Sequence, residues 1–584
     1  MYIREYETKI GEALRPPLSS SFPQDCQTQM KGIRVAVVGG GMAGLMAARL
    51  LGQQGVNVSV YEARPQVGGR VLSNTTFSNG RITEEGAELI GSFHTTWLGL
   101  AKEYGLALIS RMDPDLYERA GLRVKLRLDR DSTKDLPMVK INELGKDMDV
   151  VLERIARDAS QIRDESQPWL DPSLKAYDNM SVAHALETRY QVKRDSLLWK
   201  AFEFKLVNDE VAPLDQMNFL GLLCKVKGGQ SVRFSNDDPQ GRARLMRYWY
   251  ELEIFRCADG CQTLAKKIAE EIQTKYGAKL LLSTAVTSID IHTKKCAYTG
   301  PQKNSGAPNR PCVVLGSRKV ISPDGSLSNQ KPDFTPYHYV ILATPPSVWK
   351  RVKIIADGKP AQPADELGLM GMNPAVKFFI DVKERFWINE KPPAAPYGGS
   401  LTLGQVWEGT DNQTRKVLVK VPNPRGGVLE VKQGVVLSVF AGPIIPFDPR
   451  HPRGPGRAPK QKECERELLK LYPDYKKNLT KAPLFSNWPE VPFIETGYAS
   501  PQIGKLLEIG EKLSKSFHDL LFFAGEHTRM DFFGYMEGAL RSGEDAAKKL
   551  MLQSCGLLKE PAPASPSPRV RTASAAPIRA KTAL

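Results

Sequence analysis

The sequence predicts an α/β protein: a parallel-stranded unit built on a βαβ connection, joined to an α+β portion and a mainly helical subdomain. Three observations carry this prediction. A β-branched run at 32–38 (GIRVAVV) passes through a glycine-rich turn into an apolar stretch at helical spacing, and a second β run ends at Glu62. Between about 141 and 250 the apolar residues recur at the helical period, and from about 279 the β pattern returns.

The chain of 584 residues, 41% hydrophobic and 25% charged, has the composition of an ordinary globular protein with room for several domains. Its net charge of +16 would suit an acidic partner. The basic runs, such as Lys548–Lys549 and Arg242-Ala243-Arg244, are short and read as solvated faces, so no nucleic-acid partner is expected. The first thirty residues lack a basic end followed by an apolar run, and no apolar stretch approaches about 18 residues. No signal peptide, no membrane anchor and a cytoplasmic location are therefore expected. Of eight cysteines only Cys257 and Cys261 lie close, without zinc spacing, so the chain is expected to be reduced and metal-free.

After a polar leader (1–31), residues 32–38 form the first strand, 45–51 a helix, and 56–61 a second strand parallel to the first. Met148, Val151, Leu152, Ile155, Ala159 and Ile162 fall on one helical face, and Leu197, Leu198, Ala201 and Phe202 suggest another helix. Strands return at 279–283, 286–291 and 337–343. A block from about 372 to 487 mixes strands with Pro/Gly loops, and the last 29 residues, rich in Pro, Ala and Ser, read as a disordered basic tail (556–584).

Gly39, Gly41 and Gly44 have the G-x-G-x-x-G spacing that makes a tight turn, admits a pyrophosphate to the backbone and packs the helix close to the strand. The phosphates would sit at the helix N-terminus, beside Met42 and Ala43. Glu62 ends the second strand, where a carboxylate accepts both ribose hydroxyls.

Glu62-Ala63-Arg64 leads into Gly68-Gly69-Arg70, then Gly86-Ala87-Glu88-Leu89; a C-terminal block contains Gly525-Glu526 and Gly534-Tyr535-Met536. This series of motifs resembles the flavin amine oxidase family, and the resemblance covers about 520 residues in order. It implies non-covalent FAD in a Rossmann-like FAD-binding domain, held by these segments and by Val286, with Glu526 at the ribitol or pyrophosphate and Tyr535-Met536 beside the isoalloxazine. That domain would be assembled from 32–105, 255–345 and 490–555, interleaved with an α+β substrate domain from 106–254 and 346–489, with the helical subdomain at about 141–250.

The resemblance also implies a reacting site. Lys377, ten residues before Trp387, matches the family's lysine that holds a water near flavin N5. Tyr498 and Tyr535 match the two walls of the family's aromatic cage that sandwiches a neutral amine, and Trp488 and Gly534 are expected at the substrate beside them. Gly497 stands where membrane-bound monoamine oxidases carry a flavin-linking Cys, so no covalent link is expected. Many L-amino-acid oxidases of the family pair the substrate carboxylate with an Arg where this chain has Leu89, leaving Arg256 and Arg541 as candidates; Glu88 would instead attract a cationic side chain. The 86–97 segment looks most like soluble bacterial L-amino-acid oxidases. Oxidative deamination of L-amino acids, with O₂ as the second substrate, is expected; oxidation of mono- or polyamines and amino-acid monooxygenation are the alternatives. A homodimer is compatible with all of these.

Overall fold

A computed structural model describes residues 24–557 except 79–80, 111–120, 131, 231–240, 297–309, 362–369, 411–417, 423–427, 433–435 and 442–456. Five strands lie parallel in the order Leu521–Phe523, Tyr339–Leu342, Arg34–Val38, Asn57–Tyr61 and Lys279–Leu281. The Arg34–Val38 strand alternates between two cores, as the two-residue period requires. Val35 and Val37 face a cluster with helices Met42–Gln53 and Gln262–Thr274, while Ala36 and Val38 share one with Val286 and Ile289. The last helix, Met536–Ser554, crosses Met42–Gln53 closely at Gly543, where an added Cβ would stand 2.0 Å from the Ala43 carbonyl oxygen. This crossing brings the C-terminal motif beside the first turn.

A second five-stranded sheet is centred on Thr284–His292, between Cys312–Lys319 and Lys353–Ala356. A third runs Leu484–Asn487, Val376–Asp381, Val436–Ala441, Gly404–Glu408, Ala394–Ser400 and Arg123–Arg127; it carries Lys377 and Trp407. Helix Met138–Ser160 buries Val151, Leu152, Ile155 and Ala159, the face set by the sequence period. Helices Leu197–Glu210 and Phe219–Gly229 start at Ser196 and Asn218, whose side chains accept the Trp199 and Gly221 N–H groups. The first of these helices ends on the left-handed Val211 (φ 47°), which delivers Asn208, Asp209 and Glu210 to one place.

One expectation needs correction: the chain is not fully reduced. The last part of the polar leader forms a helix, Gln24–Met30. Cys26 is bonded to Cys555 across 529 positions, and Cys296 to Cys312 across 16, with Cα–Cα distances of 5.5 and 5.3 Å. Sequence spacing carries no information on pairs brought together by tertiary folding. Such bonds persist mainly in oxidising compartments, so the cysteines lend no support to a cytoplasmic location. Cys224, Cys257, Cys261 and Cys464 are free and buried. Among the described residues no helix is long and apolar enough to cross a membrane, and no cluster of His, Cys, Asp or Glu suits a metal. The tail from 558 onward lies outside the described residues.

Candidate active site

One elongated cavity of about 500 Å³ runs between the three sheets. At one end the chain leaves the Arg34–Val38 strand through Gly39, whose φ of +113° only glycine adopts readily. Gly41 begins the next helix without a side-chain cap, leaving its first N–H groups for an anion. Gly44 lies behind the wall, where its missing Cβ would stand 1.9 Å from the Gly39 carbonyl oxygen. Gly39, Gly41, Met42 and Ala43 are on the wall.

Glu62 and Ala63 continue the same wall, with Gly68 bridged to Gly41 and Gly69 beside it. Glu62 Oε2 accepts the Gly40 N–H (2.7 Å) and Oε1 the Arg64 N–H (2.8 Å). Burial pushes its carboxyl pKa up, and these two backbone donors oppose that. Each oxygen keeps capacity for one further donor. Arg64 does not line the cavity; its guanidinium donates to the Gly69 carbonyl (2.8 Å) and lies over the Trp488 ring. Val286 reaches the wall from the second sheet. Glu62→Ala is expected to weaken FAD binding roughly 10- to 100-fold, the value of one charge-assisted hydrogen bond; titration of apoprotein measures it, and unchanged affinity would remove the assignment.

Midway, Glu526 ties three segments together. Its Oε1 accepts Arg70 Nη1 (2.6 Å) and the Ala499 N–H (3.2 Å), and its Oε2 the Gly534 N–H (2.6 Å). Burial alone would raise this carboxyl, but Arg70, His527 and the Gly534 N–H hold it low. Gly86, Ala87, Leu89, Gly525 and Met536 complete this stretch of wall. Trp488 donates Nε1–H to the Glu85 carbonyl (2.8 Å), with its ring against Gly86.

At the far end Gly534 (φ +84°) leaves room for the Tyr498 ring, whose Cδ2 would be 3.0 Å from an added Cβ. The Tyr498 hydroxyl donates to the Asp209 carbonyl (3.2 Å). The Tyr535 hydroxyl lies 3.3 Å from that of Tyr248. Burial pushes both cavity phenols well above their usual pKa, so they stay neutral.

Lys377 also lies on the wall, with its ammonium saturated: Nζ donates to the carbonyls of Glu84 (2.9 Å) and Gly86 (3.0 Å) and to Glu88 Oε2 (2.7 Å). Three protons meet three protein acceptors, which leaves none for the expected water. Glu88, on the wall, also accepts from Arg256 Nε (2.7 Å) and Trp407 Nε1 (3.1 Å). Burial would raise its carboxyl, but Lys377 and Arg256 hold it at about 2. With two cations on it already, Glu88 is not the expected attractor of a substrate cation. Arg256, expected at the substrate, is a correction: it is off the wall, committed to Glu88 and to the Glu408 carbonyl (3.1 Å). Arg541 is also off the wall, donating to Glu537 (2.7 Å) and Thr95 (3.1 Å).

The sequence reading missed Asn208, Asp209, Lys225, Glu253 and Gln405, all on the substrate-end wall. One signal was present: Lys225 interrupts the apolar run FLGLLC.

The cavity, with a glycine turn and an uncapped helix start at one end and Tyr498 and Tyr535 at the other, has the form of a dinucleotide-binding site that ends in a small-molecule pocket. Residues 42–551 match the flavin containing amine oxidoreductase family, to which the chain belongs. It is 22% identical over 550 residues to flavin-containing amine oxidase A of Sus scrofa, covering 89% of this chain and 85% of that one. To amine oxidase B of Bos taurus it is 26% identical over 562 residues, covering 93% and 91%. Its fold resembles a putrescine oxidase (TM-score 0.62, 17% identity) and cyclohexylamine oxidase from Brevibacterium oxydans IH-35A (0.59, 18%), each covering 89% of this chain and 99% of the other. The cofactor is FAD, and the uncapped helix start, the glycine cradle and Glu62 fit it.

Gly497 has neither a thiol nor space for one: an added Cβ would stand 2.6 Å from Ala375 Cβ and 2.7 Å from the Asn373 carbonyl oxygen. Acid denaturation is expected to release all flavin. Gly497→Cys should destabilise the chain by about 1–3 kcal/mol, the cost of overpacking, without linking the flavin. Flavin fluorescence remaining on the denatured variant in a gel would contradict this.

Proposed function

We propose that the chain oxidises the carbon bearing the amine of an L-amino acid, giving an imino acid that water converts to a 2-oxo acid and ammonia. The observation that carries an amine-oxidising reading is the joint presence of Tyr498 and Tyr535, held neutral, at the end of the cavity opposite the glycine turn. Bound FAD supplies the two-electron acceptor, taking a hydride and returning the electrons to O₂ as hydrogen peroxide. Only an amine with a free lone pair supports hydride loss from the adjacent carbon, so the site must bind the neutral amine. Two aromatic walls do this by burying the amine without offering a carboxylate to keep it protonated. Glu526, through Gly534 and Ala499, fixes the backbone next to both tyrosines and so sets their spacing.

A second reading, amines without an α-carboxylate, is favoured by Asp209 and Glu253 on the same stretch of wall, since carboxylates suit a cationic tail. Flavin bleaching and peroxide release with matched pairs, such as L-leucine and isoamylamine, separate the two. Faster reaction of the decarboxylated partner would favour the second; an amide product with little peroxide would indicate monooxygenation instead.

A further inference from the structure

Two buried lysines reach the cavity, and they differ in how their protons are spent. Lys377 gives all three to protein oxygens. Lys225, 1% exposed, gives two to Glu210, with Nζ 2.7 Å from each carboxylate oxygen. Its other neighbours are rings: Nζ lies 4.5 Å from the centroids of both Phe533 and Tyr535. Among the described residues the third N–H meets no oxygen or nitrogen. Glu210 is off the cavity wall and Lys225 is on it, so the pair presents its positive end to the cavity beside Tyr535.

The two ring faces hold this end of the ammonium less strongly than an oxygen acceptor would, so an anionic group that reaches it gains a charge-assisted hydrogen bond. We propose that Lys225 is the specificity-determining residue that donates to the substrate carboxylate, taking the place of the guanidinium that Leu89 excludes. This rests on the reading of the cavity as an amine-oxidising site. The surrounding charges agree with the placement. Asp209, paired with Lys205 at 3.1 Å, lies on the Tyr498 side, where the phenol donates to its carbonyl, and would repel a carboxylate. Glu253 acts on both tyrosines, so the favourable contact for a carboxylate on the Tyr535 side is the one Lys225 supplies.

Glu210 balances Lys225, so Lys225→Met alone would leave a buried carboxylate unpaired and endanger folding. The test uses holoenzyme of that variant and of the double variant K225M/E210L, which removes both charges. Each is measured with L-leucine, with isoamylamine, and with benzoate as an unreactive carboxylate that perturbs the flavin spectrum. The expected result is a preference of the native enzyme for leucine. In the double variant, KM for leucine and Kd for benzoate should rise roughly 10- to 100-fold, while kcat and the constants for isoamylamine stay within about twofold. Equal losses with leucine and isoamylamine, or unchanged benzoate binding, would overturn the role of Lys225. If neither variant retains FAD, the native enzyme decides: isoamylamine handled as well as leucine overturns the proposal. If no amine of either kind bleaches the native flavin, the amine-oxidising reading itself fails.

Discussion

Gly44→Ala is expected to give a chain that no longer retains FAD. The methyl carbon would stand 1.9 Å from the Gly39 carbonyl oxygen and 3.1 Å from Val37 Cγ1. The nearer neighbour is backbone, held by the Gly39 N–H donating to the Tyr61 carbonyl (2.8 Å), so it has no rotamer to change. Relief requires the helix Met42–Gln53 to lift from the strand. That helix is gripped from the other side by the last helix, where Gly543 approaches Ala43. Overpacking of this kind costs about 1–3 kcal/mol in stability. The cofactor suffers more, because moving the helix start displaces the N–H groups that receive the pyrophosphate. The ratio of absorbance at 450 to 280 nm in purified protein reads the outcome. Stoichiometric flavin in the variant would show that Gly44 serves only as a turn residue.

The nucleotide end was legible because its requirements are local. A turn, a close approach and a strand-end carboxylate all fall within residues 39–62, and each leaves a residue type at a fixed spacing. The motif residues of the C-terminal block were legible for the same reason, although only tertiary structure shows Glu526 spending both oxygens on Arg70, Ala499 and Gly534. The substrate end was not legible. Asp209 and Lys225 come from two helices whose order carries no motif, and they share the cavity wall through tertiary packing, with Lys225 paired to Glu210 at the end of the first helix. Arg256 shows the opposite error. Its position before a turn made it a candidate, but a charge in sequence does not reveal which carboxylate will claim it, and Glu88 does. The disulfide between Cys26 and Cys555 was hidden by its 529-residue separation.

Lys377→Met is expected to damage cofactor binding and both half-reactions together. The family resemblance implies that the lysine holds a water, and its loss would then slow reoxidation of the flavin while leaving the protein intact. The hydrogen bonds give a different expectation. Nζ is the donor that satisfies the carbonyls of Glu84 and Gly86, and it pairs with Glu88, which is 5% exposed. The three acceptors are the end of the strand Arg81–Glu84 and the loop after it, which carries Gly86, Ala87 and Leu89 along the cavity. Methionine fills the space but leaves two carbonyls without their donor and takes one cation from a buried carboxylate. Leaving a buried charge unpaired costs about 3–5 kcal/mol, and the cost here is lower because Arg256 stays on Glu88, but the loop that loses the lysine is the one lining the flavin stretch. Thermal unfolding of holoenzyme, FAD dissociation and stopped-flow rates of both half-reactions distinguish the two roles. A variant with native stability and native FAD affinity whose reoxidation alone is slowed would assign Lys377 to the water after all, and would require one of its three bonds to open when the cofactor binds.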